Sequence, residues 1–333
     1  MEKLERWLAD EFVAINTGLE RGTGSPSALL RGAAFAAGPL DGDRYRRLGS
    51  VGMLLGACAR HGVDGPDLDP VRSLAAYLGA SLGVAPRYVF THQVLFGYRT
   101  FTDLPDDHLF VTQNGIGVLA YRRAADALRE IPSVGVDSPI AAYLFESARA
   151  ALEDVQRVNR TLHESLDPGQ FADHVRPYFT SYTVNGVVYR GANAGDLAAV
   201  NEIDLLLGLC RPDDPFYLHV MTEKYPYVPP ADQGRLRAAL SYPSLLAAIL
   251  EKPRHAALFL EVCRAHGAAS TYHLHKLVKP FLSEDALTSS GPPMAEVLAW
   301  LARLADLRAA RDRPGLVTAR ASLNRLRALT AGG

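Results

Sequence analysis

Apolar residues recur at three- and four-residue spacing along most of this 333-residue chain, a period that admits little besides packed amphipathic helices. Residues 71–82 (VRSLAAYLGASL) read as one such helix, which Gly83 ends. Residues 88–98 and 109–128 predict two more, separated by the polar stretch FTDLPDDH. Ser138-Pro139 supplies an N-cap followed by proline at the first helical position. The helix it opens runs for about 28 residues to Asp167-Pro168, where proline stops it. The period returns over 197–209, 233–250, 254–264, 270–282 and 294–307, with Pro229-Pro230 and Pro292-Pro293 as punctuation. One short stretch departs from it. Residues 182–189 (YTVNGVVY) place β-branched and aromatic side chains around Asn185-Gly186, a two-residue hairpin signal. The expected class is all-α with one minor β-hairpin. The segment GVAPR at 83–87 divides a small N-terminal helical domain (1–86) from a large helical domain (87–333) that holds nearly all the candidate chemistry.

Composition narrows the partners. Hydrophobic residues make up 48% and charged residues 21%, enough apolar surface for a sizeable core. A formal net charge of -1 provides no broad basic surface, which argues against nucleic acid as a partner. No apolar run approaches the roughly 18 residues of a membrane span. The start MEKLERWLADEF is charged and amphipathic, unlike a signal peptide, so the expected location is cytoplasmic. The three cysteines, Cys58, Cys210 and Cys263, lack CxxC spacing and read as small apolar residues rather than disulfide or zinc partners.

Common catalytic templates are missing: there is no Walker A loop, GxGxxG, HExxH or GxSxG. Among ten histidines, His273 and His275 lie in STYHLHKLVKPFL, whose apolar face is Leu274, Leu277, Val278, Phe281 and Leu282. His273 borders that face, while His275 falls about 200° further round and is expected in solvent. A histidine entering an apolar interior from a helix suits an axial heme ligand, and equally a satisfied core histidine. Arg176, in HVRPYF, is flanked by apolar bulk and can present a planar fork to a carboxylate or to an internal ion-pair partner. The loop GANAG at 191–195 precedes a helix, where small residues admit a flat ligand close to the backbone or simply make a turn. TSSG at 288–291 is a second small polar loop ahead of a helix.

Taken in chain order, these pieces resemble the heme-dependent aromatic oxygenase superfamily. It takes in indoleamine and tryptophan 2,3-dioxygenases, the PrnB-type enzymes and histidine-ligated heme tyrosine hydroxylases. The resemblance runs with gaps from about Val71 to the C-terminal helix, and YHLHKLVKPFL carries it most strongly. It places the proximal iron ligand at His273, with Val278, Ala192, Asn193, Ala194 and Gly195 against heme b and Asp204 near the proximal side. LHESLDPGQFADHVRPYF is similar to the segment that grips the substrate carboxylate, which assigns that role to Arg176 with Phe179 beside it. LGVAPRYVFTHQVLFGY is similar to the segment entering the distal pocket, so Phe90, Gln93, Val94 and Leu109 become substrate walls. Thr112 takes the distal position and His108, one turn earlier, replaces an aromatic residue as a candidate acid/base. Asn193, Ala194, Thr288, Ser289, Ser290 and Gly291 would meet the amino acid's polar end.

Three departures from the dioxygenase pattern, Asn193 for serine, Ser289-Ser290 for a glycine pair, and His108, lean toward PrnB-type and tyrosine-hydroxylase chemistry. The expected activity is oxidation of an aromatic amino acid, tryptophan or a derivative, in a biosynthetic pathway. Its partners are that substrate and dioxygen or hydrogen peroxide, with a homodimer among the allowed assemblies. The alternatives are a heme-dependent tyrosine hydroxylase, a heme-binding protein without turnover, and a helical interaction scaffold.

Overall fold

A computed structural model describes residues 2–36, 42–193, 195–278 and 314–331. Among these the chain is helical apart from one two-stranded sheet. The N-terminal helices are α1 (Glu2–Asp10), α2 (Phe12–Glu20), α3 (Leu30–Ala36), α4 (Arg44–Arg60) and α5 (Asp69–Leu82). Next come α6 (Thr91–Phe96), α7 (Pro105–Val134), α8 (Pro139–Ser165) and the single turn α9 (Pro168–Gln170). After the hairpin of β1 (Tyr182–Val184) and β2 (Val187–Tyr189) come α10 (Ala198–Leu206), α11 (Pro215–Lys224), α12 (Pro230–Ala239), α13 (Leu245–Glu251), α14 (Ala256–Tyr272) and α15 (Pro314–Ala331). The predicted helix over 294–307 lies outside the described residues. Among the described residues no helix is long and apolar enough to cross a membrane.

Local chemistry accounts for most boundaries. Ser138 caps α8 by accepting the Ala141 amide at 3.1 Å, and Gly83 closes α5 in the left-handed region. Asn185 and Gly186 both carry positive φ, as a type I′ turn requires, and Tyr182 faces Tyr189 in the register they set. Three expectations change. The period over 233–250 predicts one helix, but α12 ends at Ala239 and α13 starts at Leu245. Pro243 lies between them and disfavours helix at the residue before it. The helix predicted over 88–98 shrinks to α6, because Tyr88, Val89 and Phe90 are used as core residues ahead of it. Asp167-Pro168 follows a helix that stops at Ser165, and it also starts the next turn, with Asp167 accepting the Gln170 amide at 2.8 Å.

Two main hydrophobic cores position the site. The first joins the N-terminal helices to Tyr88, Val89, Phe90, Phe101, Val175, Tyr178, Phe179 and the hairpin. Gly52 of α4 makes this possible, since a Cβ there would stand 2.1 Å from the Tyr88 amide nitrogen. The second lies among α7, α8, α10, α13, α14 and α15, with Phe145 edge-on to Phe259 at 6.0 Å. The first core takes residues from both sides of position 86, Val84 and Ala85 before it and Tyr88, Val89 and Phe90 after it.

Candidate functional site

The turn that carries His273 departs from regular helix. α14 ends at Tyr272, and residues His273–Val278 continue as π-helix. Such wide turns re-aim side chains and are frequent at functional sites. The His273 ring is half-buried, and burial pulls its pKa down to about 4, so the imidazole is neutral near pH 7. No hydrogen-bond partner meets it among the described residues. His275 is exposed, as its position on the helix predicts, while Leu274 and Val278 are buried.

Two helical turns before His273 on α14, buried His266 donates from Nε2 to Asp204 Oδ1 at 2.8 Å. Tyr217 donates to Asp204 Oδ2 at 3.3 Å, Asn201 donates to the Tyr217 hydroxyl at 3.1 Å, and Lys224 donates to Asn201 at 2.6 Å. Burial brings Lys224 down to about 8. Asp204 thus heads a buried polar chain that ties α10, α11 and α14 together.

One small cluster gathers three of the predicted segments. Val158, Leu162 and Leu166 at the end of α8 pack with Leu109 and Phe110 of α7, with Phe171 just before the Arg176 turn, and with Leu277 of the His273 turn. Leu109 therefore sits where α7, the Arg176 segment and the histidine turn converge. His108, one residue earlier, is partly exposed. The Tyr98 hydroxyl donates to the His108 carbonyl at 3.1 Å and lies 2.7 Å from Nδ1, while Nε2 donates to Asp103 Oδ1 at 3.2 Å. The Tyr98 hydroxyl also hydrogen-bonds Thr112, and burial raises its pKa. Thr112 is exposed, as are Ile116 and Leu119 along α7 and Leu95 on α6. Tyr98 and Asp103 are site neighbours that the sequence leaves unmarked. Tyr98 reads there only as the end of a helix, and Asp103 as part of a polar linker.

Phe90 and Phe179 stack at 4.9 Å within the first core. Gln93 is buried and donates to the Tyr88 hydroxyl and to the Arg99 carbonyl. Val94 packs instead against the second core. Arg176 starts a 3-10 turn, Arg176–Phe179, directly after the π-turn Phe171–Val175. It is half-buried, and desolvation lowers its pKa from a value high enough to leave it charged. In the 191–195 loop, Ala192 is buried and the Asn193 side chain accepts the Gly195 amide at 2.9 Å. Asp196 closes that loop: it accepts the Asn193 amide at 2.9 Å and a two-pronged contact from Arg190 at 2.7 and 3.0 Å. Ala194, Thr288, Ser289, Ser290 and Gly291 lie outside the described residues. No group of three or more histidine, cysteine or acidic side chains that could hold a metal occurs among the described residues.

Residues 43–330 match the family model described as "Monodechloroaminopyrrolnitrin synthase PrnB". A search of curated proteins finds no match.

Proposed function

The chain belongs to the PrnB family, and on that premise we propose that it is a heme-dependent oxygenase that oxidises an aromatic amino acid, tryptophan or a derivative, in a biosynthetic pathway. The observation that carries this reading is His273: a neutral imidazole on a widened helical turn, with no hydrogen-bond partner among the described residues. That is the protonation state an iron ligand needs. A second observation fits a flat apolar group. Leu95, Tyr98, Ile116 and Leu119 leave large apolar side chains open around Thr112. In this reading His273 would hold the iron of heme b, and Val278 and the loop residues Ala192, Asn193, Ala194 and Gly195 would line the cofactor. Asp204, held by His266 and Tyr217, stiffens the helices beneath. When bound, the heme supplies activation of dioxygen or hydrogen peroxide.

The protein's own work is positioning and proton control. Arg176 binds the substrate carboxylate through two charge-assisted hydrogen bonds. Phe90, Phe179, Val94 and Leu109 wall the aromatic ring and exclude water, and Gln93 holds the Tyr88 side of that wall. Asn193, Ala194, Thr288, Ser289, Ser290 and Gly291 meet the ammonium and carboxylate. Thr112 lies at the distal position. His108 holds a proton at Nε2 toward Asp103 and exchanges it with substrate during turnover. A cytoplasmic location and the small-domain, large-domain division at 86/87 belong to the same reading.

His273→Ala should fold with unchanged far-ultraviolet circular dichroism yet purify without a Soret band. Full heme retention in that variant would move the ligand elsewhere. The acid/base set at His108 also favours a second reading, hydroxylation of tyrosine with peroxide. Steady-state assays pairing tryptophan or tyrosine with dioxygen or hydrogen peroxide separate the two. Heme uptake with no spectral response to either amino acid would leave a binding protein only.

A further inference from the structure

Arg176 stands where the backbone changes from a π-turn to a 3-10 turn, and neither repeat continues far enough to hold its own shape. Tertiary ties help to hold its geometry, and several of the polar ones meet at one side chain of α2. Glu20 is almost wholly buried, with its side chain 3% exposed. Its carboxylate accepts Arg60 Nε and Nη2, both at 2.9 Å, His174 Nδ1 at 2.7 Å and the Tyr178 hydroxyl at 2.8 Å. Because Tyr178 donates to Glu20, the 2.9 Å contact between His61 Nε2 and the Tyr178 oxygen has His61 as donor. Arg60 Nη2 also reaches the Asp173 carbonyl at 2.7 Å. At Gly56 the α4 backbone comes so close that a Cβ would stand 3.0 Å from the Tyr178 carbonyl. The tied residues, 173, 174 and 178, flank Arg176 on both sides.

The origin of the carboxylate matters. Arg60, His61, His174 and Tyr178 all fall inside the matched family region, 43–330, whereas Glu20 precedes it. We propose that Glu20 is a positioning residue supplied by the N-terminal helices, which sets the Arg176 turn for recognition of a carboxylate-bearing aromatic substrate. The proposal rests on the reading of Arg176 as the carboxylate-binding group.

Glu20→Gln tests it without opening a cavity, since the amide keeps the shape but turns an NH2 toward donors. Two readouts are needed. In the heme-free protein, hydrogen exchange of amides 171–181 should quicken about tenfold while α8 is unchanged. In the heme-loaded protein, Soret titration should show L-tryptophan bound about tenfold more weakly, with tryptamine, which lacks the carboxylate, altered less than about twofold. Tyr178→Phe, a milder change that keeps the ring, should move both readouts in the same direction by about threefold and serves if Glu20→Gln folds poorly. Unchanged exchange in 171–181, or equal weakening for tryptophan and tryptamine, overturns the proposal. Weaker tryptophan binding in Arg176→Ala but not in Glu20→Gln overturns the positioning role and leaves the Arg176 reading intact. If Arg176→Ala itself binds tryptophan normally, both fall, and the exchange data then show whether the Glu20 tie holds the turn at all.

Discussion

Glu20 and Asp107 are both buried carboxylates, one beneath the Arg176 turn and one at the start of α7, and burial pushes both upward. They end at opposite extremes. Glu20 overcomes that desolvation through hydrogen bonds from Arg60, His174 and Tyr178, and is held down at about 2. Asp107 accepts only neutral donors: the Phe101 amide at 2.9 Å, the Thr102 amide at 2.7 Å and the Thr102 hydroxyl at 3.0 Å. Its other oxygen has no partner among the described residues, and its pKa rises to about 6. The number of hydrogen bonds is similar, so the charge of the donors decides the outcome. The N-terminal network is fastened by ionisation, while the one at α7 has an acid poised to take up a proton one residue from His108.

The two sites bend the stability curve in opposite directions. Glu20 has a depressed folded-state pKa, so its contribution is complete above about pH 4.5 and is lost as pH falls toward 2. Asp107 has a raised one, so the native state takes up its proton first. Stability then increases as pH falls from about 6 to 4 and is lower again at neutral pH. Glu20→Ala should have the largest effect, roughly 2 kcal/mol of destabilisation at pH 7, because Arg60, His174 and Tyr178 lose their shared buried acceptor. Chemical denaturation would measure this, and a loss under 1 kcal/mol would put the two carboxylates on an equal footing. Asp107→Asn should be stabilising at pH 7, by about 1–2 kcal/mol, and should flatten the curve between pH 4 and 6. A retained slope there would assign it to another group. Thr102→Val removes the one hydroxyl donor to Asp107 and should cost about 1 kcal/mol while moving the Asp107 titration further up, readable by carboxyl-specific infrared or NMR titration. Ser138→Ala, at the α8 cap and in neither network, should cost about 1 kcal/mol or less with no dependence on pH in thermal melts.

What the sequence discloses depends on how local the cause is. Ser138-Pro139, Gly83 and Asn185-Gly186 each announce their element within a few residues, and those elements form where expected. The break at Pro243 is equally local, but the apolar residues on both sides keep an uninterrupted helical period and mask it. The π-turn leaves no periodic mark, because Leu274, Leu277 and Val278 suit either pitch. At the site, the apolar run around His273 and the hydrophobic flanks of Arg176 single those two residues out. Their supports do not show. His174 meets Glu20 across 154 positions, His266 meets Asp204 across 62, and no local pattern encodes such pairings. Tyr98 and Asp103 reach His108 from a linker whose composition says only that it is polar.

The π-turn at His273–Val278 also constrains the length of the chain there. The wider i→i+5 pattern fits one residue more into the turn than an α-helix does, so deleting one between 274 and 278 would let the turn close as plain α-helix and take the His273 side chain off its present bearing. No choice of replacement side chain restores that bearing. This short stretch behaves as a gauge block, tolerant of many spellings and intolerant of any change in count.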